Sequence, residues 1–348
     1  MNPASASSMT ASTITAPVVS VVMPVHNGER YLREAIESVL NQTYERLELL
    51  VVNDGSTDGT ADILKEMSRV DKGRLRPIER DRIGFAKALN LGIEEARGKY
   101  IARMDADDIA MSDRLARQVA FLDAHPDHVL CGTAIRTFGD CVPGVVTYPR
   151  DHESIRCILF WECCFCHPSV LMRREPFTAG RCAYREEYGV VADYDLWTQM
   201  VELGKAANLP QVLLHYRRHA SQASTTEVST TNRQIEMVWL REARRLLPCE
   251  GRDAELHCSL AARRFELSGE YQDHARRWIE KLDRSNEEKR LYDRECFQRQ
   301  LRHLWFNLCR HRARHGTFRP AEYTAIAPAL RSWRLLARLL YHYCRGAA

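Results

Sequence analysis

No stretch of this 348-residue chain reaches the roughly 18 consecutive apolar residues that a membrane-spanning helix needs, so no integral membrane protein is expected. The opening has neither the basic start nor the apolar core of a secretory signal. Residues 1–17 are rich in Ser, Thr and Ala and read as a flexible leader. No G-x-G-x-x-G follows the first apolar run, which weighs against a dinucleotide-dependent dehydrogenase. That position reads Val25-His-Asn-Gly-Glu-Arg, with one glycine, whereas a nucleotidyltransferase would hold its triphosphate with a Gly-rich, basic loop. Neither an internal repeat nor a nucleic-acid-reading motif is present, and a net charge of +4 does not argue for nucleic acid by itself.

Cysteine, by contrast, is plentiful. The twelve cysteines are scattered, and with no signal sequence ahead of them they are expected as free thiols in a reducing cytosol. The tight group Cys163, Cys164, Cys166 and His167 has no second ligand pair at zinc-finger spacing, so a zinc site is not expected there. The 45% hydrophobic and 28% charged fractions are those of an ordinary globular protein. Charge is unevenly spread: the first 227 residues carry 26 Lys and Arg against 31 Asp and Glu, and the remaining 121 carry 24 against 15. An acidic catalytic half joined to a basic tail suggests a head that works in solution and a tail that meets an anionic surface.

The first hundred residues alternate strand and helix patterns. Residues 18–25 and 47–52 are short β-branched or aliphatic runs that read as buried strands, and 75–79 makes a weaker third. Helical spacing covers 30–41, the run through Ile63, Leu64 and Met67, and 84–96, where Gly98 is the expected stop. A fourth strand over 99–104 runs straight into Asp105-Ala-Asp-Asp108. This alternation predicts βαβ units and a mostly parallel sheet, with ligands at the carboxyl ends of the strands. Between about 125 and 220 the reading is of shorter strands, a turn at 138–144 and one clear helix over 193–203. After Thr226 the chain is Arg/Glu-rich and helical. The expected layout is a catalytic α/β domain over 18–226 and a basic helical region over 227–348.

Three aspartates in four residues at a strand end repel one another unless a positive charge sits among them. A hard divalent cation takes oxygen ligands and bridges to phosphate, usually through one or two protein carboxylates. An isolated Asp-x-Asp would read as capping acids on a surface loop; its place after a buried strand in a βαβ series favours the metal. Asp54, in Asn-Asp-Gly-Ser, fits both a purely structural turn and a contact to a base or ribose. Asp193 opens an amphipathic helix, and taken alone it reads as an acid complementing the helix dipole.

Together these residues resemble glycosyltransferase family two, the large GT-A group of inverting enzymes. Residues 18–60 and 82–109 carry the resemblance, with His167-Pro-Ser-Val, Asp193-Tyr-Asp-Leu-Trp and Tyr216-Arg-Arg-His219 as later landmarks, so that it covers roughly 18–225. The resemblance implies roles. Pro24, Val25 and Asn27 would lie beside the nucleoside, with Asp54 on the base or ribose and Arg82 and Lys87 near the donor. Asp105 and Asp107 form the Asp-x-Asp pair, Asp107 being the direct ligand of Mn²⁺ or Mg²⁺. His219 would reach the diphosphate or metal from the far side, and Asp193 would be the catalytic base. Two features depart from the family pattern: Ala192 stands where Glu often precedes the base, and the cysteine group before His167 is unusual.

The resemblance also implies a UDP-hexose or UDP-N-acetylhexosamine donor, with dTDP- and GDP-sugars open. The acceptor would be a glycan or a lipid-linked oligosaccharide of a cell-surface polysaccharide. A non-catalytic sugar-nucleotide or glycan-binding scaffold is the alternative from another class. The segment 330–343 places Leu335, Leu336, Leu339 and Leu340 against Arg331, Arg334 and Arg338, with Trp333, Tyr341 and Tyr343. Such a helix fits peripheral contact with an anionic membrane, or packing on the rest of the chain. The expected place is the cytoplasm, with the inner face of the plasma membrane as the site of any such contact.

Overall fold

The computed structural model describes residues 16–71, 73–220, 222, 228–332 and 334–338. Most of the leader, the 226/227 boundary, and Trp333, Leu339, Leu340, Tyr341 and Tyr343 of the terminal segment lie outside the described residues.

Strands β1 (Val19–Val25) and β2 (Leu47–Asp54) bury every residue, as parallel strands covered on both faces do. The period of two sorts their side chains. Val21, Met23, Leu49 and Val51 face one core with helices α1 (Leu32–Leu40) and α2 (Thr60–Val70), whereas Val22 and Leu50 face a second core with α3 (Phe85–Glu94). With β3 (Leu75–Arg80) and β4 (Tyr100–Arg103) these form a parallel set in the order β3-β2-β1-β4. The expected strand-helix alternation is therefore present, and β2 runs on through Asn53 and Asp54.

The sheet continues through β8 (Leu171–Arg173), β6 (His128–Gly139), β9 (Lys205–Arg218) and the two-residue β5 (Ile109–Ala110), with β7 (Gly144–Val146) folding back on β6 at the expected turn. This half is mixed: β8 runs antiparallel to β4 and β6, β5 antiparallel to β9, and β6 parallel to β9. The expectation of short strands between 125 and 220 holds for β7 and β8, of three residues each, and fails for β6, with 12 residues, and β9, with 14. The β6–β9 register shifts around Thr133 to Ile135, and Asn208, Pro210 and Gln211 interrupt the apolar alternation of β9. The sequence therefore shows fragments where the backbone pairs continuously. Helices α4 (Arg114–Ala124), α5 (His152–Leu159), the short α6 (Glu175–Thr178) and α7 (Ala192–Met200) complete the strand-bearing part.

The helical region comprises α8 (Val228–Leu246), α9 (Gly251–Ala261), α10 (Gly269–Lys289), α11 (Arg294–Arg314) and α12 (Pro320–Thr324). It packs closely on the strand-bearing part. Val238 and Trp239 of α8 enter the core shared with α3 and α7, and Phe160 and Trp161 enter the helical core around Trp278 and Trp305. Leu330 and Leu335 are buried in that helical core, with Leu336 against it. The described leucines of the terminal segment therefore turn inward. Among the described residues no helix is long and apolar enough to cross a membrane, and every described cysteine is a free thiol.

Candidate active site

The topology fixes where the acidic run falls. β4 is buried throughout and ends at Arg103, and the chain must then cross to β5, which pairs with His215 and Leu214 of β9. Asp105, Asp107 and Asp108 occupy that crossing, and the ligand atoms they offer lie within 4.8 Å of one another. Each has a different neighbour. Asp108 is fully buried; one oxygen accepts the Arg217 N–H at 2.8 Å and the other has no partner. Burial, with Asp105 and Asp107 adding like charge, pushes the Asp108 carboxyl well above its ordinary range. Asp105 forms an ion pair with buried Arg103, yet burial still raises its pKa. Asp107 is partly exposed and meets Nε2 of His219 at 2.8 Å.

Crowded carboxylates resist ionising together unless a cation joins them. Three oxygen donors in reach, one of them a buried oxygen without a partner, suit a hard divalent ion. Arg217 braces the opposite wall: its Nε donates to the Asp107 carbonyl at 2.7 Å, and its guanidinium lies 4.3 Å from the Tyr31 ring centroid. Among the described residues, no other group of three metal-capable side chains is this close, and Cys163, Cys164, Cys166 and His167 are not gathered in that way.

Asp193 stands in the first turn of α7, and its Oδ1 accepts the Tyr194 N–H at 2.7 Å. Burial raises its pKa to about 6, against the Tyr194 N–H and the charge of Arg103, while Asp105 pushes the same way as burial. The charge of Arg103 therefore acts on both Asp105 and Asp193. Beside them His167 bonds the Tyr184 hydroxyl at 2.7 Å and packs against Phe85 and Trp197. Burial, then Arg103, holds this imidazole neutral, its pKa well below the ordinary value. Burial, with the charge of Asp193 adding to it, pushes the Cys163 thiol up.

The loops after β1 and β2 are tied to each other. Asn27 adopts the left-handed conformation (φ 52°) that Asn tolerates. Its N–H donates to Ser56 Oγ at 2.9 Å, and its side-chain oxygen accepts the Thr57 N–H at 2.8 Å. Pro24 and Val25 lie buried beside Val52 and Asn53 at the ends of their strands. Asp54 is 3% exposed and accepts the N–H groups of Ile83 at 2.6 Å and Gly84 at 3.1 Å, with Arg82 at 3.2 Å. The carboxylate is thus a structural anchor for the 82–84 loop at the carboxyl end of β2. Only glycine fits at position 55, where a Cβ would stand 2.8 Å from the Arg82 nitrogen. Lys87 pairs with Glu186 at 3.0 Å.

Sequence reasoning missed Arg103, Asp195 and Arg241, and gave Asp108, already part of the acidic run, no role of its own. Arg103 precedes the run and Asp108 ends it, and burial gives both their role. Asp195, two positions after Asp193, points to the opposite side of α7 and is fully buried. Its carboxylate takes Arg185 (Nε at 2.8 Å), Gln199 at 2.8 Å and Arg241 of α8. Arg241 also reaches Thr198 and the Tyr188 hydroxyl, the latter at 3.1 Å. The signal for Asp195 was present, since a helical i,i+2 pair of acids cannot share one face. Nothing in the sequence marked which arginine would meet it.

Comparison with known proteins follows this geometry. Residues 20–180 match the sequence profile of the family described as Glycosyl transferase family 2. An uncharacterized glycosyltransferase of Haemophilus influenzae is 34% identical over 221 residues, 60% of this chain and 68% of the relative. The O-antigen biosynthesis glycosyltransferase WbnJ of Escherichia coli is 31% identical over 212 residues, 58% of this chain and 80% of the relative. Two solved structures share the fold at low identity. Residues 1–349 of S. aureus TarS, in complex with UDP-GlcNAc, align with a TM-score of 0.54 at 15% identity, covering 94% of this chain and 88% of that TarS segment. The Pyrobaculum calidifontis mannosyltransferase PcManGT, in complex with GDP-Man and Mn²⁺, aligns with a TM-score of 0.52 at 17% identity, covering 96% and 88%.

Proposed function

The chain belongs to glycosyl transferase family 2 and has the GT-A type of α/β fold, and on that premise we propose that it is a metal-dependent, inverting enzyme. The donor is a nucleotide-sugar, UDP-linked to a hexose or N-acetylhexosamine. The acceptor is a hydroxyl of a glycan or lipid-linked oligosaccharide in cell-surface polysaccharide synthesis. One observation carries the reading: Asp193, with its pKa at about 6, shares the field of buried Arg103 with the metal-capable acids. A base for the acceptor and a charge centre for the leaving group thus meet at one place.

Asp193 accepts the proton of the acceptor hydroxyl as that oxygen attacks the anomeric carbon. Attack comes from the face opposite the nucleoside diphosphate, whose bond to the sugar breaks, so the configuration inverts. Asp107 and His219, with Asp105 beside them, would hold Mn²⁺ or Mg²⁺, and such an ion would supply positive charge to the departing diphosphate. Arg103 keeps Asp105 and Asp193 compatible within one buried volume. Asp54, Arg82 and the Asn27–Thr57 tie shape the nucleoside side, with Pro24 and Val25 as its wall and Lys87 at its edge. The solved relatives of this fold with UDP-GlcNAc and with GDP-Man and Mn²⁺ support a nucleotide-sugar and a divalent ion.

The test is calorimetric titration of UDP, GDP and dTDP into the purified protein, with Mn²⁺ and with chelator. Binding of UDP that requires Mn²⁺ in the wild type and is weakened in Asp107→Ala is the expected result. Metal-independent binding, or an Asp107→Ala variant with unchanged metal response, would remove Asp107 from its role. Preference for GDP or dTDP would overturn the UDP assignment alone.

A further inference from the structure

The helical region presents a cationic face that the proposed reaction does not use. Arg310 and Arg314 lie one turn apart on α11, and Arg338 reaches the same place. The guanidinium carbons of Arg310 and Arg338 stand 5.7 and 5.9 Å from the centroid of the Phe306 ring. The positive charges of Arg314, Arg338 and Arg263 all act on Arg310, and Arg338 acts on exposed His303. Beside Arg314, the rings of His311 and His315 are 4.5 Å apart.

Elsewhere in this region several arginines are matched with acids, whereas others, such as Arg277, Arg284 and Arg334, form no ion pair among the described residues. Arg245 reaches Glu202 and Glu242 at 2.7 and 2.8 Å, and Arg276 reaches Glu280 at 3.2 Å. At the cluster, Arg263 pairs with Glu162 at 3.3 Å, but among the described residues Arg310, Arg314 and Arg338 have no carboxylate within ion-pair reach. Like charges gathered without counter-ions weaken the isolated protein and strengthen contact with an anion.

The form of the face narrows the partner. Leu330 and Leu335 are buried in the helical core and Leu336 packs against it, so among the described residues this face offers charge and not an apolar stripe for insertion. Phe306 is 5% exposed and offers no ring on which a base could stack. Exposed guanidinium groups along a helix suit negative charge spread over a plane. We propose that the face formed by Arg310, Arg314 and Arg338 docks the enzyme electrostatically on a bilayer of anionic phospholipid headgroups, without insertion of the leucines. The docking draws its purpose from the reading of a membrane-presented acceptor, and its test involves no transfer reaction, so the two fail separately.

The full chain is pelleted with phosphatidylcholine vesicles, with and without phosphatidylglycerol, at low and high salt. Pelleting is expected only with phosphatidylglycerol and is lost at high salt. Each arginine removed should weaken partitioning about fivefold, so Arg314→Gln with Arg338→Gln should weaken it about 25-fold. Both side chains are exposed, and unchanged circular dichroism and UDP binding would show that the variant is folded. Equal pelleting on neutral vesicles, pelleting that survives high salt, or a double variant that behaves as wild type would each overturn the proposal. Retention on a soluble acidic polysaccharide, without pelleting on phosphatidylglycerol vesicles, would do so as well and would move the face to acceptor recognition.

Discussion

On the side proposed for the nucleoside, Asn27, Asp54, Gly55 and the 82–84 loop bind one another through backbone N–H groups, within one stretch of about sixty residues. On the side proposed for the acceptor, Asp193 rides on a helix whose next acid, Asp195, is buried and held by charged side chains, one of them from α8. The first arrangement is local and relies on neutral-donor hydrogen bonds that survive small shifts. The second is assembled from distant parts and concentrates charge where little water reaches it, so a loss there is costly. The comparison teaches that the nucleoside side is self-sufficient, whereas the base depends on the helical region.

The sharpest way to break this contrast is at the base. Asp193→Asn should lower kcat by about 10²- to 10⁴-fold while leaving nucleotide affinity intact. The wild type should show the same dependence through pH. Asp193 must be ionised to accept a proton and its pKa is about 6, so kcat/KM should fall as the pH drops through that value and level off above it. A profile flat across that range, or a variant with near-normal turnover, would take the base role away from Asp193.

A smaller effect is expected at Arg241. Arg241→Ala leaves Asp195 to Arg185 and Gln199 and loosens α7, which should lower kcat about ten- to a hundredfold. Nucleotide affinity should not change, and Arg241→Lys should restore part of the rate. Equal losses in turnover and in UDP binding would mean that Arg241 supports the whole fold and not the base in particular. Smallest is Asn27→Ala, which removes the acceptor of the Thr57 N–H and should weaken UDP about fivefold, with kcat and pH profile unchanged. If Asn27→Ala instead shifts the pH profile, the two sides are coupled and the contrast is wrong.

The same division explains what could be read from the sequence. β1, β2, β4 and α3 announce themselves because their burial follows a period of two or 3.6 within one short window, and the acidic run appears where β4 must end. The Asp105, Asp107 and His219 grouping was legible because two motif blocks meet across β5 and β9. β6 and β9 were not, since a shifted register and Pro210 break their alternation while long-range pairing holds them. Arg103, Asp195 and Arg241, and the pairing of Asp108 with Arg217, escaped for a further reason. A buried charge is defined by its partner, and partners 46 or 109 positions apart leave no mark in a local window.

The seating of Val238 and Trp239 in the core of α3 and α7 bears on how such enzymes could be recombined. A chain shortened to its strand-bearing part would lose Val238, Trp239 and Cys258 from that core and one cation from Asp195. Exchanging helical tails between relatives to redirect them to a new surface would therefore have to carry the first half of α8, through Arg241, with the catalytic part. The junction for a working chimera lies inside the helical region, and not at the change of composition near residue 227.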